Sequence, residues 1–154
     1  MVLTVKHSFV NPIPDVPADV TAGKVTPSRW NADHTITGNV SQEWTAGEVL
    51  SALKVVRGQG GQAFLMDASD IAQAHLCIGI TETSAASGGA VQVVNDGVIT
   101  DGSWAWTAGP VYLGEDGALT QTIPASPGQA FNLRVGTAVS ATRLVVKIDR
   151  PIKL

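Results

Sequence analysis

Charge is scarce in this 154-residue chain: Asp, Glu, Lys and Arg together supply 15% of it. A surface so poor in charge suits burial against other protein better than free solution. Ten basic and thirteen acidic residues leave a net charge of −3, and no Lys/Arg run exceeds a pair. Nucleic acid and anionic membrane are therefore poor partners on electrostatic grounds. One cysteine rules out a disulfide framework, and Cys77, inside the apolar run LCIGI, reads as a buried, inert thiol. Nowhere do about 18 apolar residues run together, as a membrane-spanning helix requires. The start, MVLTVKHSF, lacks the uninterrupted apolar stretch and small-residue cleavage site of a secretory signal. The expectation is a soluble protein made in a cytoplasm.

What is present points to turns and small-residue packing. Hydrophobic residues make up 44% of the chain, enough for a core, and 16 Gly and 8 Pro stand against one Tyr and three Phe. Residues 1–39 read as an extended arm. Val2, Leu3 and Val5 suit a short strand, but Pro12, Pro14, Pro17 and Pro27 remove amide donors and disfavour helix before them. So long a stretch with little regular structure is expected either to be pinned by contacts outside its own domain or to be mobile. Its apolar side chains, Phe9, Val10 and Ile13 among them, favour pinning. Its densest motif is TPSRWNADH, in which Asn31 or Asp33 can bond back to main chain while Trp30 is offered as an apolar anchor. A local turn with a half-buried Trp explains the same residues. His34 beside Asp33 lacks the H-x-x-H or C-x-x-C spacing of a metal site, and no metal or cofactor is expected.

Residues 40–154 read as the β-module. GEVLSALKVV fits neither period cleanly and is assigned to strand; RGQGGQ is a hairpin-like turn leading into AFLMDASD. Asp67 and Asp70 are expected to cap turns, as are Glu115 and Asp116 in GEDG. HLCIGITE, AVQVVNDGVIT, PVYLGED, GALTQTI, FNLRVGTA and TRLVVKIDRPI follow as strand-like runs, and Pro151 should end regular pairing or lie on an edge. In SWAWTAG, Trp104 and Trp106 share a face if the segment is a strand, covering the core or a subunit contact. Three short matches recur in order: WTAG at 44–47 and 106–109, QAF at 62–64 and 129–131, and an L-x-[IV]-G run ending at Gly79 and Gly136. The fold class that results is mainly β, a small antiparallel barrel or sandwich built from two similar halves and preceded by the extended arm. Gly79 and Gly136 are expected at the corners where a barrel closes.

These residues resemble a known group. The arm, with its lysine-histidine-aromatic start and the Pro27-Ser28-x-Trp30-Asn31-x-x-His34 motif, is similar to the opening of many small tailed-bacteriophage virion proteins. The run from GVITDGSWAWTAGPVYLGEDGALTQTIP to VGTAVSATRLVVKI is similar to β-barrel modules of phage head-decoration and short tail-fibre proteins. The resemblance implies a structural, non-enzymatic role, commonly as a homotrimer, in which the arm, including Phe9, Val10, Ile13, Trp30, Asn31 and His34, attaches to the major capsid protein or a tail protein of the same phage. After the arm there is room for one globular module and none for a shaft, which favours a capsid decoration, or cement, protein on the virion over a tail or baseplate fibre or receptor-binding adhesin. An enzyme is the third class: Trp104, Trp106 and Tyr112 would line a carbohydrate groove, with acid groups drawn from Asp96, Asp101, Glu115 and Asp116. All four carboxylates are expected in glycine-flanked turns, where capping accounts for them.

Overall fold

The computed structural model describes residues 2–5, 34–37 and 40–154. The chain divides into two compact units, 1–38 and 39–154. In the first, β1 (Val2–Val5) pairs antiparallel with β2 (His34–Thr37), Val2 opposite Thr37 and Val5 opposite His34. Both strands carry the β-branched residues that favour extended pairing, Val2, Thr4 and Val5 in the first and Thr35, Ile36 and Thr37 in the second.

The second unit is built from strands, with two one-turn 3-10 helices and no α-helix among the described residues. Its first five strands, β3 (Val40–Ala46), β4 (Val55–Gln59), β5 (Gln62–Leu65), β6 (Cys77–Thr81) and β7 (Ala90–Thr100), close into a barrel in the order β3-β5-β4-β6-β7, with β7 pairing back onto β3. All pairs are antiparallel except β3 with β5, which is parallel. Closure thus uses one parallel pair that a purely antiparallel expectation does not contain. The RGQGGQ hairpin forms as expected: Gly60 and Gly61 both have positive φ, +58° and +79°, the two-residue geometry whose twist matches the flanking strands. GEVLSALKVV is a strand only from Val55. Before it the chain loops, with Leu53 at φ +62° and Leu50 bridging Ala85.

The remaining strands are β8 (Gly109–Leu113), β9 (Leu119–Thr120), β10 (Phe131–Asn132), β11 (Arg134–Ser140), β12 (Arg143–Lys147) and β13 (Ile152–Lys153). The sheet continues from β7 as β12-β11-β8-β9, while β10 and β13 pair apart from it. This order mirrors the barrel's own β7-β6-β4-β5, and the match extends to single residues. In the first half Val56 faces Gly79 and Arg57 faces Cys77, so Ile78 is the extra residue of a bulge. In the second, Val111 faces Gly136 and Tyr112 faces Arg134, leaving Val135 extra. A Cβ on Gly79 would strike the Val94 carbonyl oxygen and the Val93 side chain; one on Gly136 would strike the Val145 carbonyl oxygen and the Leu144 side chain. Gly79 and Gly136 therefore mark equivalent bulges.

The eleven residues of β7 serve both halves. Residues 90–96 pair with β3, and residues 96–100 pair with β12. Where β3 closes the first half, residues 106–108 of the second WTAG segment lie across the second outside any strand, and its Gly109 begins β8. The Trp106 N–H donates to Ala141 O, and Thr107 joins the Gln121 side chain just beyond β9.

Alternation sorts the core into two layers. Ala46, Val56, Ala63, Val91 and Val93, with half-buried Trp44, Leu65 and Ile78, draw on all five barrel strands and fill its interior. Val55, Ile80 and Val94 point the other way and join Phe131, Leu133, Val135, Leu144 and Val146 in the larger cluster. No helix of the described residues is long and apolar enough to cross a membrane.

Candidate functional site

Gln42, Trp44 and Ala46 alternate onto one face of β3. Ala46 is fully buried in the barrel, Trp44 is half-buried and Gln42 exposed, so this face runs from the interior to the surface. The outer edge of the indole lies over β4 at Gly58, where a Cβ would come within 3.5 Å of Trp44 and 3.0 Å of Ile78. Three shallow depressions meet at Trp44. One, of about 610 Å³, is lined by Gln42, Ile78, Asn95, Asp96 and Lys147. A second, of about 660 Å³, lies towards Glu43, Gly61 and Gly88, and a third, of about 390 Å³, towards Gln59 and His75.

Two bulges shape this surface. Ile78 is the extra residue in β6, and Asn95 is the extra residue in β7, because Val40 faces Asp96 while Ser41 faces Val94. A bulge re-aims the side chains beside it, and here Asn95 and Asp96 both reach the rim of the same depression. Asp96 is therefore not in a glycine-flanked turn. The Asn95-Asp96-Gly97 sequence is absorbed as a bulge inside a continuous strand, with Gly97 at φ +133°. Among the described residues the side chains of Gln42, His75, Asn95, Asp96 and Lys147 make no hydrogen bond or ion pair.

Asp67, Asp70 and Asp101 hold turns through their carboxylates, whereas Glu115 and Asp116, expected to cap the GEDG turn, form it without a side-chain capping bond. The Asp67 carboxylate accepts from the Ser69 N–H, and that of Asp70 from the Ala72 N–H. Asp101 accepts from the N–H and hydroxyl of Ser103, which lowers its pKa below the usual range. Glu115 and Asp116 lie in a one-turn 3-10 segment, where the Asp116 carbonyl accepts from Lys54 Nζ.

No protein-family model matches this chain, and no curated protein matches its sequence. The site must be read from its own residues. Trp104 and Trp106 lie in a loop rather than a strand, because the Asp101–Ser103 turn breaks pairing after Thr100. Their rings nonetheless meet, with centroids 5.6 Å apart and planes tilted by 52°, and both pack on the larger core cluster. They cover the protein's own second half. Tyr112 is half-buried in β8. Phe9, Val10, Ile13, Trp30 and Asn31 lie outside the described residues, and His34 begins β2 opposite Val5. Among the described residues no three His, Cys, Asp or Glu side chains gather as a metal ion would need.

Cys77 is partly exposed as a residue, but its sulfur is enclosed. Burial pushes the thiol up to about 12, against the opposing effect of a hydrogen bond from the Gly79 backbone. A thiol so protonated is a poor nucleophile at neutral pH. The depression around Trp44 is the feature that sequence reasoning passed over. Its one legible sign was that Trp44 opens the first WTAG, as Trp106 opens the second.

Proposed function

We propose that this chain is a non-enzymatic structural protein of a bacteriophage virion, a decoration protein that binds and stabilises the outer head surface. It would be made in the host cytoplasm and act as a homotrimer on the major capsid protein. The observation that carries the reading is the coupling of two resemblances in one chain: an N-terminal segment with the Pro27-Ser28-x-Trp30-Asn31-x-x-His34 motif, and a β-module like those of decoration and short-fibre proteins. The division at residue 38 supports it, since the body holds its own two-layer core and leaves the first unit for attachment. So does the use of Asp67, Asp70 and Asp101 as turn caps. The mechanism is physical. Each arm buries apolar surface at about 25 cal/mol per Å², and a trimer adds avidity through three linked attachments.

Cryo-electron microscopy of the intact particle tests this. The expected result is many copies in a regular array on the head; a few copies confined to the tail would replace it with the second reading. That reading, a short tail or baseplate fibre or adhesin, is favoured by the exposed tip at residues 86–88 between β6 and β7.

A further inference from the structure

We infer that the depression around Trp44 is a saccharide-binding site, independent of where on a particle the chain resides. The argument begins with shape. The surface is open and shallow, so it cannot enclose an apolar ligand on most sides as a small-molecule pocket does. A ring with one apolar face and a polar perimeter suits it, because one face can rest on the indole while the perimeter meets side chains around it. A pyranose has that form, with C–H bonds on its faces and hydroxyls at its edge.

The rim has the chemistry to meet those hydroxyls. Gln42 and Asn95 each offer an amide donor and acceptor, Asp96 offers a carboxylate and Lys147 an ammonium, all on the 610 Å³ depression. None of the four is engaged by another described side chain, in contrast to Asp67, Asp70 and Asp101, which are held in turns. A mixed set of donors and acceptors recognises a neutral polyol better than it recognises an anion, since Asp96 opposes negative charge as Lys147 favours it.

The backbone is spent on this arrangement. A continuous ladder would place Asn95 and Asp96 on opposite faces; the bulge at Asn95 brings both to the same rim. At Gly58 a Cβ would press on Ile78 at 3.0 Å while only touching the indole edge at 3.5 Å, so the glycine lets β4 lie close beneath both. The second half of the molecule repeats the bulge at Val135, but the depression beside it, lined by Arg134, Thr137, Val145, Lys147 and Asp149, is smaller, about 200 Å³, and carries no tryptophan. The residue equivalent to Cys77 there is Arg134, which pairs with Asp149 at 3.6 Å and donates to Thr137 Oγ1 at 2.6 Å. There Arg134 and Asp149 at the rim are paired with one another, whereas Asp96 and Lys147 beside Trp44 are not.

Titration of the full chain with chitotetraose, cellotetraose and maltotetraose, followed by tryptophan emission and calorimetry, tests the assignment. The expected result is saturable binding of at least one, weakened about tenfold or more by Trp44→Ala and less by Trp44→Phe. Because Trp44→Ala also touches the barrel interior, Asn95→Ala and Gln42→Ala carry the test at exposed positions. Each should weaken binding about fivefold, the loss of about one hydrogen bond, with unchanged melting temperature. The Val139→Ser control, in β11, should bind as wild type. Absence of binding by all three sugars at about 10 mM, a range that still detects millimolar affinity, overturns the inference. So does binding that survives both Asn95→Ala and Gln42→Ala undiminished.

Discussion

Thr81 is the one fully buried polar side chain among the described residues, and its hydroxyl holds a loop that has no strand of its own. It donates to Ser51 O at 2.7 Å and accepts from the Lys54 N–H at 2.9 Å, while its backbone bonds Lys54 and Leu53. Thr81→Val keeps the shape and leaves a buried donor and acceptor unpaired. It should destabilise by about 1–3 kcal/mol in urea unfolding, and Thr81→Ser by less. Cys77 sets a different response. Its ordinary value is 9.0 and its folded value about 12, so below pH 9 the thiol is neutral in both states and favours neither. Above pH 9 the unfolded chain releases a proton that the folded chain retains, and stability falls as pH rises towards 12. Cys77→Ala should remove this part of the alkaline slope in unfolding experiments. A thiol reagent at pH 8 should label wild type only after denaturant is added.

At the level of elements, the repeat makes a matched prediction. Gly79→Ala and Gly136→Ala each drive a methyl onto a carbonyl oxygen of the next strand, and Gly79 also has φ +147°. Both should cost about 2–4 kcal/mol, at the upper end for single substitutions. A small cost at one site alone would show that the two bulges are not equivalent. The closure of the second half is weaker than the ladder that closes the first. It rests on Gln121, whose amide donates to Thr107 O at 2.7 Å and accepts from the Thr107 N–H at 3.1 Å, in place of the β3–β5 pair. Gln121→Ala should speed amide exchange at Thr107 and cost about 0.5–1.5 kcal/mol. How far such elements were legible depended on whether local chemistry decided them. Gly60-Gly61 was readable because only glycine adopts two successive positive φ values cheaply. The repeat was readable from WTAG and the L-x-[IV]-G runs, which mark equivalent places. Asn95-Asp96-Gly97 misled because the same residues suit a turn or a bulge, and pairing with β3 and β12 decided between them. The Trp44 surface was invisible for a related reason: Gln42, Asp96 and Lys147 are brought together only by closure of the barrel and the addition of β12.

For the whole molecule, the distribution of the core decides what the N-terminal unit contributes to stability. Among the described residues, the fully buried members of both clusters lie between Ala46 and Val146, and every strand pair of the nine-stranded sheet lies within 39–154. A chain starting at Asn39 therefore retains the described core and ladder. It should express as a folded monomeric or oligomeric body, with cooperative thermal unfolding and a melting temperature within about 5 °C of the full chain, the shift that about 1 kcal/mol produces in a domain of this size. Loss of cooperative unfolding would mean that residues 1–38 are part of the fold's own support. If the attachment reading holds, the same truncated protein should fail to bind phage heads that the full chain decorates. The two measurements separate the roles: a folded body that no longer binds assigns attachment to the first unit, whereas a folded body that still binds assigns it to the β-module.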